Sequence, residues 1–109
     1  MPNSFKIEWT ETARKDLNEL TDFIALDSIE NALIINSKLI SKVESPSWSP
    51  SRGRIVLELR KFGIEYYREI LIQPYRIFFK IEDKSKVVIL GILDGRRDLE
   101  QILLERIIK

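Results

Sequence analysis

Residues 66–82 read YYREILIQPYRIFFKIE. On both sides of Gln73 and Pro74 apolar side chains alternate with polar or charged ones, the period of a β-strand, and the short proline-containing connection folds the segment into a hairpin. With Gln73 and Pro74 as the loop, Ile72 faces Tyr75, Ile70 faces Ile77 and Arg68 faces Phe79 on one side of the sheet. The opposite side gathers Tyr67, Glu69, Leu71, Arg76, Phe78 and Lys80. The first face is mostly apolar and is expected to pack on helices. The second mixes aromatic, basic and acidic groups and is the candidate working surface, open to a partner. Arginine on a stiff strand suits phosphate and carboxylate alike, so this face fits nucleic acid or an acidic protein segment. The plainer alternative for Arg76 is an ion pair with Glu69 or Glu58.

The strands continue outward from this hairpin. GRIVLE (53–58) predicts a short strand around Ile55 to Leu59, the hairpin strands run from about Glu65 to Ile72 and from Tyr75 to Glu82, and VVILGILDGRRD (87–98) predicts a last strand from Val87 to Leu93. Turn signals at Phe62-Gly63 and Asp83-Lys84-Ser85 keep the connections short, which implies antiparallel neighbours. A helix from about Arg97 follows, with Leu99, Ile102, Leu103 and Ile107 as its contacts.

Towards the amino terminus, Phe5, Ile7 and Trp9 alternate with Lys6 and Glu8 and mark a first strand that stops at Thr10, an N-cap residue. Ala13, Leu17, Leu20 and Ile24 then recur at helical steps, with Arg14, Lys15, Asp16 and Glu19 on the other side. Asp27 or Ser28 caps a second helix reaching about Val43 along a stripe of Ile29, Ala32, Leu33, Ile35, Leu39, Ile40 and Val43. The two helices form an antiparallel hairpin. SPSWSPSRG, from Ser45 to Gly53, sustains neither period and is a loop anchored by Trp48.

The chain has 109 residues, 44% of them hydrophobic, enough for one core in a single domain spanning 1–109. It contains no cysteine and no histidine. Disulfides, thiolate nucleophiles, imidazole bases and the usual zinc sets are thereby removed, and no metal or cofactor is expected. The charged start, MPNSFKIEWTETARKD, is unlike a signal peptide, and no apolar run nears the roughly 18 residues of a membrane span, so a cytoplasmic protein is expected. Net charge is +1 but uneven: residues 1–51 hold five Lys/Arg against eight Asp/Glu, and residues 52–109 hold thirteen against nine. The basic surplus lies with the strands and favours an acidic or polyanionic partner there.

Taken together, Gly53-Arg54-Ile55-Val56-Leu57-Glu58, Arg68-Glu69-Ile70, Pro74-Tyr75-Arg76-Ile77-Phe78-Phe79, Val88-Ile89-Leu90 and Gly95-Arg96-Arg97-Asp98 resemble the RelE/ParE superfamily. These are toxins of type II toxin–antitoxin modules, also called plasmid stabilisation proteins. The resemblance covers nearly the whole chain. It implies an α+β fold: an N-terminal strand, an antiparallel helical hairpin, an antiparallel sheet of three to four strands and a C-terminal helix. It also implies a cognate antitoxin in a hetero-oligomer, and a target that is either DNA gyrase or ribosome-bound mRNA.

The residues bear on that choice. A metal-independent endoribonuclease needs a base, a cationic phosphate clamp and a donor to the leaving oxygen. The resemblance places Arg76 and Arg97 at functional arginine positions and Glu58 where some mRNA-cleaving members carry a base. Glu69 could serve instead. Arg96, Arg97 and the second-face residues Tyr67, Glu69, Leu71, Arg76, Phe78 and Lys80 are the candidate partner- or phosphate-binding set. Asp94 stands where a family histidine often lies, Leu103 near the terminal tyrosine of one ribonuclease branch, and Tyr67 and Glu69 near that branch's paired lysines. The reading that follows is a growth-inhibiting toxin acting on gyrase without catalysis. Ribosome-dependent mRNA cleavage and a non-toxic binding module of the same fold are the alternatives. Arg97, with Asp94 and Asp98, has a structural alternative in a charge network at the helix start.

Overall fold

The hairpin forms in the expected register: Ile72 pairs with Tyr75, Ile70 with Ile77 and Arg68 with Phe79, across a turn at Gln73 and Pro74 whose peptide bond is cis. The computed structural model describes residues 5–45, 49–50, 53–83 and 85–108, the last two without their side chains. The expectations for Trp48, Lys84 and the side chain of Ile107 lie outside them. The elements run β1 (Lys6–Trp9), α1 (Glu11–Ala25), α2 (Ile29–Glu44), β2 (Arg54–Ile55), α3 (Leu57–Arg60), β3 (Tyr67–Ile72), β4 (Tyr75–Glu82), β5 (Lys86–Asp94) and α4 (Glu100–Ile108). The sheet order is β1-β5-β4-β3-β2, antiparallel from β2 to β5, with β1 joining in parallel at the β5 edge. This is the mixed α+β architecture expected from the sequence.

Local chemistry explains the helix starts. Thr10 Oγ1 accepts the Ala13 N–H at 3.1 Å and donates to the Ile89 carbonyl at 2.8 Å, so one hydroxyl caps α1 and ties it to the sheet. Ser28, rather than Asp27, caps α2 by accepting the Asn31 N–H at 3.0 Å. The helical hairpin covers one sheet face, where Ala13, Leu17, Leu39 and Val43 meet Ile70, Ile77, Phe79, Val87 and Ile89.

Four expectations change. The segment Leu57–Arg60 is helical, with Val56 as its extended N-cap, not the continuation of a strand: Val56 and Leu59 are buried while Leu57 is exposed, a spacing of three rather than two. Gly63, at φ 79°, closes this short helix in the left-handed region that glycine enters without strain. The second sheet face is also not open. There α3 and α4 lie over it, and Val56, Leu59, Phe78, Leu93, Leu99 and Leu103 form a second core. The last helix starts three residues later than expected, because Asp94 to Arg97 form a turn and Asp98 Oδ1 accepts the Glu100 N–H.

Asp16 is buried rather than on the solvent side of α1. The pairing of β1 reaches only to Ile89, so among the described residues the edge of β5 beyond it has no strand neighbour, and the Ile92 N–H donates to Asp16 Oδ2 at 3.0 Å. The same carboxylate takes both terminal nitrogens of Arg106 on α4, at 2.7 and 2.9 Å. A bulge at Phe78/Phe79 displaces β5 here, and Gly91 leaves the space: a Cβ on it would lie 2.5 Å from Arg106 Nη1 and 2.9 Å from Asp16 Oδ2. This clasp joins the helices of opposite sheet faces round the sheet edge. Removing one partner of such a pair strands the other, so Asp16→Ala is expected to lower unfolding free energy by about 3 kcal/mol, read from urea denaturation. Asp16→Asn, which keeps an acceptor for Ile92, should cost less.

Candidate functional site

The sequence-derived set divides between two concavities on the second face. One is a polar cleft of about 290 Å³ beside the β3–β4 turn, lined by Arg54, Glu58, Glu69, Leu71, Arg76 and Arg96 among others. The other is a mainly apolar cavity of about 340 Å³ that takes Tyr67 and Phe78 with Leu59, Leu90, Leu103 and Arg106. The short helix α3 supplies both, Glu58 to the first and Leu59 to the second. Burial pushes the Tyr67 phenol above its ordinary value, so it stays protonated. Lys80 lies in neither lining and pairs with Glu82 at 3.1 Å.

Arg76 is the centre of the polar cleft. Strand parity turns it to the α3 side of β4, two residues from Phe78, and its guanidinium lies 5.1 Å from that ring's centroid. Its Nη1 and Nη2 donate to the two oxygens of Glu58 at 2.6 and 2.7 Å, and its Nε donates to Glu69 Oε1. The other Glu69 oxygen accepts from Arg54 Nε at 3.1 Å. Glu69, at 1% side-chain exposure, is thus neutralised from both sides. The two ion pairs posed as alternatives for Arg76 exist together. Gly95 packs on the arginine stem, where a Cβ would fall 2.8 Å from Arg76 Cδ, and its N–H closes onto the Pro74 carbonyl at 2.8 Å.

The closing arginines take different places. Arg96 grips Asp94 with Nε and Nη2 at 3.0 and 2.8 Å, and that pair holds the Asp94 carboxyl down to about 2. Arg97 is exposed and donates its backbone N–H to the Asp94 carbonyl. Hence Arg96, not Arg97, forms the charge pair expected there. Arg54 had no signal of its own in the sequence. Only its register opposite Glu69, once β2 is paired with β3, marks it.

The electrostatics follow from the pairing. The Arg76 fork holds the Glu58 carboxyl below its usual 4.5 against the opposing effect of burial, and Glu58 in return raises Arg76. Two arginines and two glutamates sum to no net charge, and Arg96 with Asp94 adds none. A carboxylate of lowered pKa is a poor proton acceptor near neutrality, and an arginine already bound at all three nitrogens has little left for phosphate.

The fold has known counterparts. A family model described as ParE toxin of type II toxin-antitoxin system, parDE, matches residues 7–99, and the chain belongs to that family. Among solved structures, the chromosomal ParDE toxin–antitoxin system of P. aeruginosa superposes with TM-score 0.65 at 19% identity, covering 84% of this chain and 97% of the other. The RelBE2 toxin–antitoxin complex of Mycobacterium tuberculosis gives TM-score 0.60 at 22% identity, covering 84% and 91%. Both share the fold. No curated protein sequence matches the chain significantly.

Two outcomes are expected from the network. Arg76→Ala leaves Glu69 buried beside Arg54 alone and should destabilise by about 3 kcal/mol, and Arg76→Lys should recover little because an ammonium cannot fork onto Glu58. Glu58 has a lowered folded pKa, so its contribution is present above 4.5 and is lost as pH falls through the folded value. Urea midpoints should therefore stay level from neutral pH down to about 5 and drop below 4.5, with a shallower acid slope in Glu58→Gln.

Proposed function

We propose that this chain is the toxin of a type II toxin–antitoxin module, restrained in the cytoplasm by a cognate antitoxin, and that it stops growth by binding DNA gyrase without catalysis. Membership of the ParE toxin family supports the toxin role, and among the described residues no helix is long and apolar enough to cross a membrane. The observation carrying the mechanism is the closed ion network at Arg76. Its guanidinium is taken up by Glu58 and Glu69, the Glu58 carboxyl is held below its ordinary value by that pairing, and the chain has no histidine to act as base. Attack of a 2′-hydroxyl on the adjacent phosphate, with departure of the 5′-oxygen, would need a proton acceptor and an uncommitted cation at one place. A poison that works by occupying its target needs neither.

The test sets two assays side by side with the purified chain. Gyrase supercoiling of relaxed plasmid should be inhibited, ribosomes should leave translated message uncut, and Glu58→Gln should inhibit gyrase like the parent, because binding does not depend on base strength. Discrete cuts in translated message that disappear in Glu58→Gln would replace this reading with an mRNA endoribonuclease. Co-expression with the small open reading frame beside the gene should yield a stable complex and relieve growth inhibition. A chain that remains alone and harmless would be the non-toxic binding module.

A further inference from the structure

The connected end of the helical hairpin exposes five large apolar side chains: Phe23 in the last turn of α1, Leu26 at its C-cap, and Ile29, Leu33 and Ile34 in the first two turns of α2. Leu26 is 82% exposed and Phe23 73%. The α1 stripe read from the sequence ends in the core at Ile24, and the α2 stripe is anchored by Ala32, Leu39 and Val43, so these five extend apolar surface beyond what the sheet covers. Exposed leucines scattered singly need no explanation, but a concentration of this kind at one end of the molecule marks an interaction surface.

The charges around it narrow what can sit there. Between Lys15 and Lys38 the chain has no basic residue, while Glu19, Asp22, Asp27 and Glu30 lie exposed along this stretch. Asp22, Asp27 and Glu30 enter no ion pair among the described residues. Asp27 and Glu30 flank the start of α2, where negative charge favours the helix. Asp22 has no such account: it stands in the last turn of α1, at the negative end of the helix dipole, with no basic side chain in that turn. Negative potential is thus concentrated at an apolar tip at some local cost. Nucleic acid and anionic membrane surfaces are repelled by it, and a second copy meeting it face to face would bring the same carboxylates together.

We propose that the hairpin tip is a docking surface for a protein segment whose apolar side chains are interleaved with lysine and arginine. The apolar residues enter around Leu26, Ile29 and Leu33, and the basic ones meet Asp22, Asp27 and Glu30 at the rim. The surface belongs to α1 and α2, whereas the polar cleft belongs to β3, β4 and α3, so a partner could engage each separately.

The probe is a synthetic amphipathic helical peptide with Leu on one face and Lys on the other, set against its counterpart with Glu in place of Lys. Backbone amide shifts of the labelled protein should move at residues 22–34 with the Lys peptide. Affinity should fall at least about tenfold in Asp22→Lys/Glu30→Lys, and likewise in Leu26→Ser/Leu33→Ser. Those side chains are exposed, so melting temperatures should stay near the parent's. Equal binding of the Glu peptide, shifts mapping to the polar cleft, or affinity unchanged by the Leu26→Ser/Leu33→Ser variant would overturn the proposal. So would a parent chain that self-associates in sedimentation and returns to monomer in that variant. Neither gyrase nor growth enters the measurement, so its failure leaves the toxin reading standing, and failure of that reading leaves this one to be judged by the peptide.

Discussion

A carboxylate with 1% of its side chain exposed needs hydrogen-bonding partners to offset the hydration it has lost, and strand parity places Glu69 at that depth. Its demand organises the whole second face. Arg76 answers from the adjacent strand and Arg54 from the sheet edge, and Arg76, with two nitrogens left over, draws Glu58 down from above. Because Glu58 must reach inward, the segment after β2 turns into a helix, which in turn seats Val56 and Leu59 in the second core. Gly95 then follows from the arginine stem, which leaves no room for a Cβ. A polar network of this kind is stable only when complete, since each member's desolvation is offset by the others.

The opposite edge of the sheet meets a related problem with different means. β1 ends before β5 does, and the buried N–H of Ile92 is satisfied by a helix side chain instead of a strand. Asp16 does this while holding Arg106, so the packing of α4 over the second face is coupled to α1 beneath the first. The two buried ion clusters therefore tie separate elements together, Asp16 with Arg106 joining helices of the two faces and Arg76 joining α3 to the sheet. The apolar cavity lies between them, bounded by Leu59 of α3 on one side and by Leu103 and Arg106 of α4 on the other.

How much of this could be read from the amino acids varies with the physics involved. The hairpin register followed from a period of two and a two-residue loop, because a slip of one residue would have buried the wrong face. Thr10 and Ser28 were legible as caps because their role is local. The helix at Leu57 was not, since four apolar or charged residues fit either period and tertiary pairing with Arg76 decides. Arg54 and Asp16 were missed for the same reason: their partners lie 15 and 90 residues away, and nothing at either position advertises the distance. Arg76 and Glu58 were marked through family resemblance and strand parity, yet their mutual saturation, which bears most on function, exists only in three dimensions.

The parallel seam between β1 and β5 imposes an order on assembly. β3, β4 and β5 are joined by turns of a few residues and can zip locally, and the α1–α2 hairpin is local as well. Thr10 and Ile89, by contrast, meet at a separation of 79 positions, and loop closure over that span gains nothing until both partners are formed. Until β1 arrives, the apolar run Val87-Val88-Ile89-Leu90 presents an unpaired strand edge, the kind of surface on which chains stick to one another. The nascent sheet is thus most vulnerable to aggregation at the place where its last and most distant strand must dock.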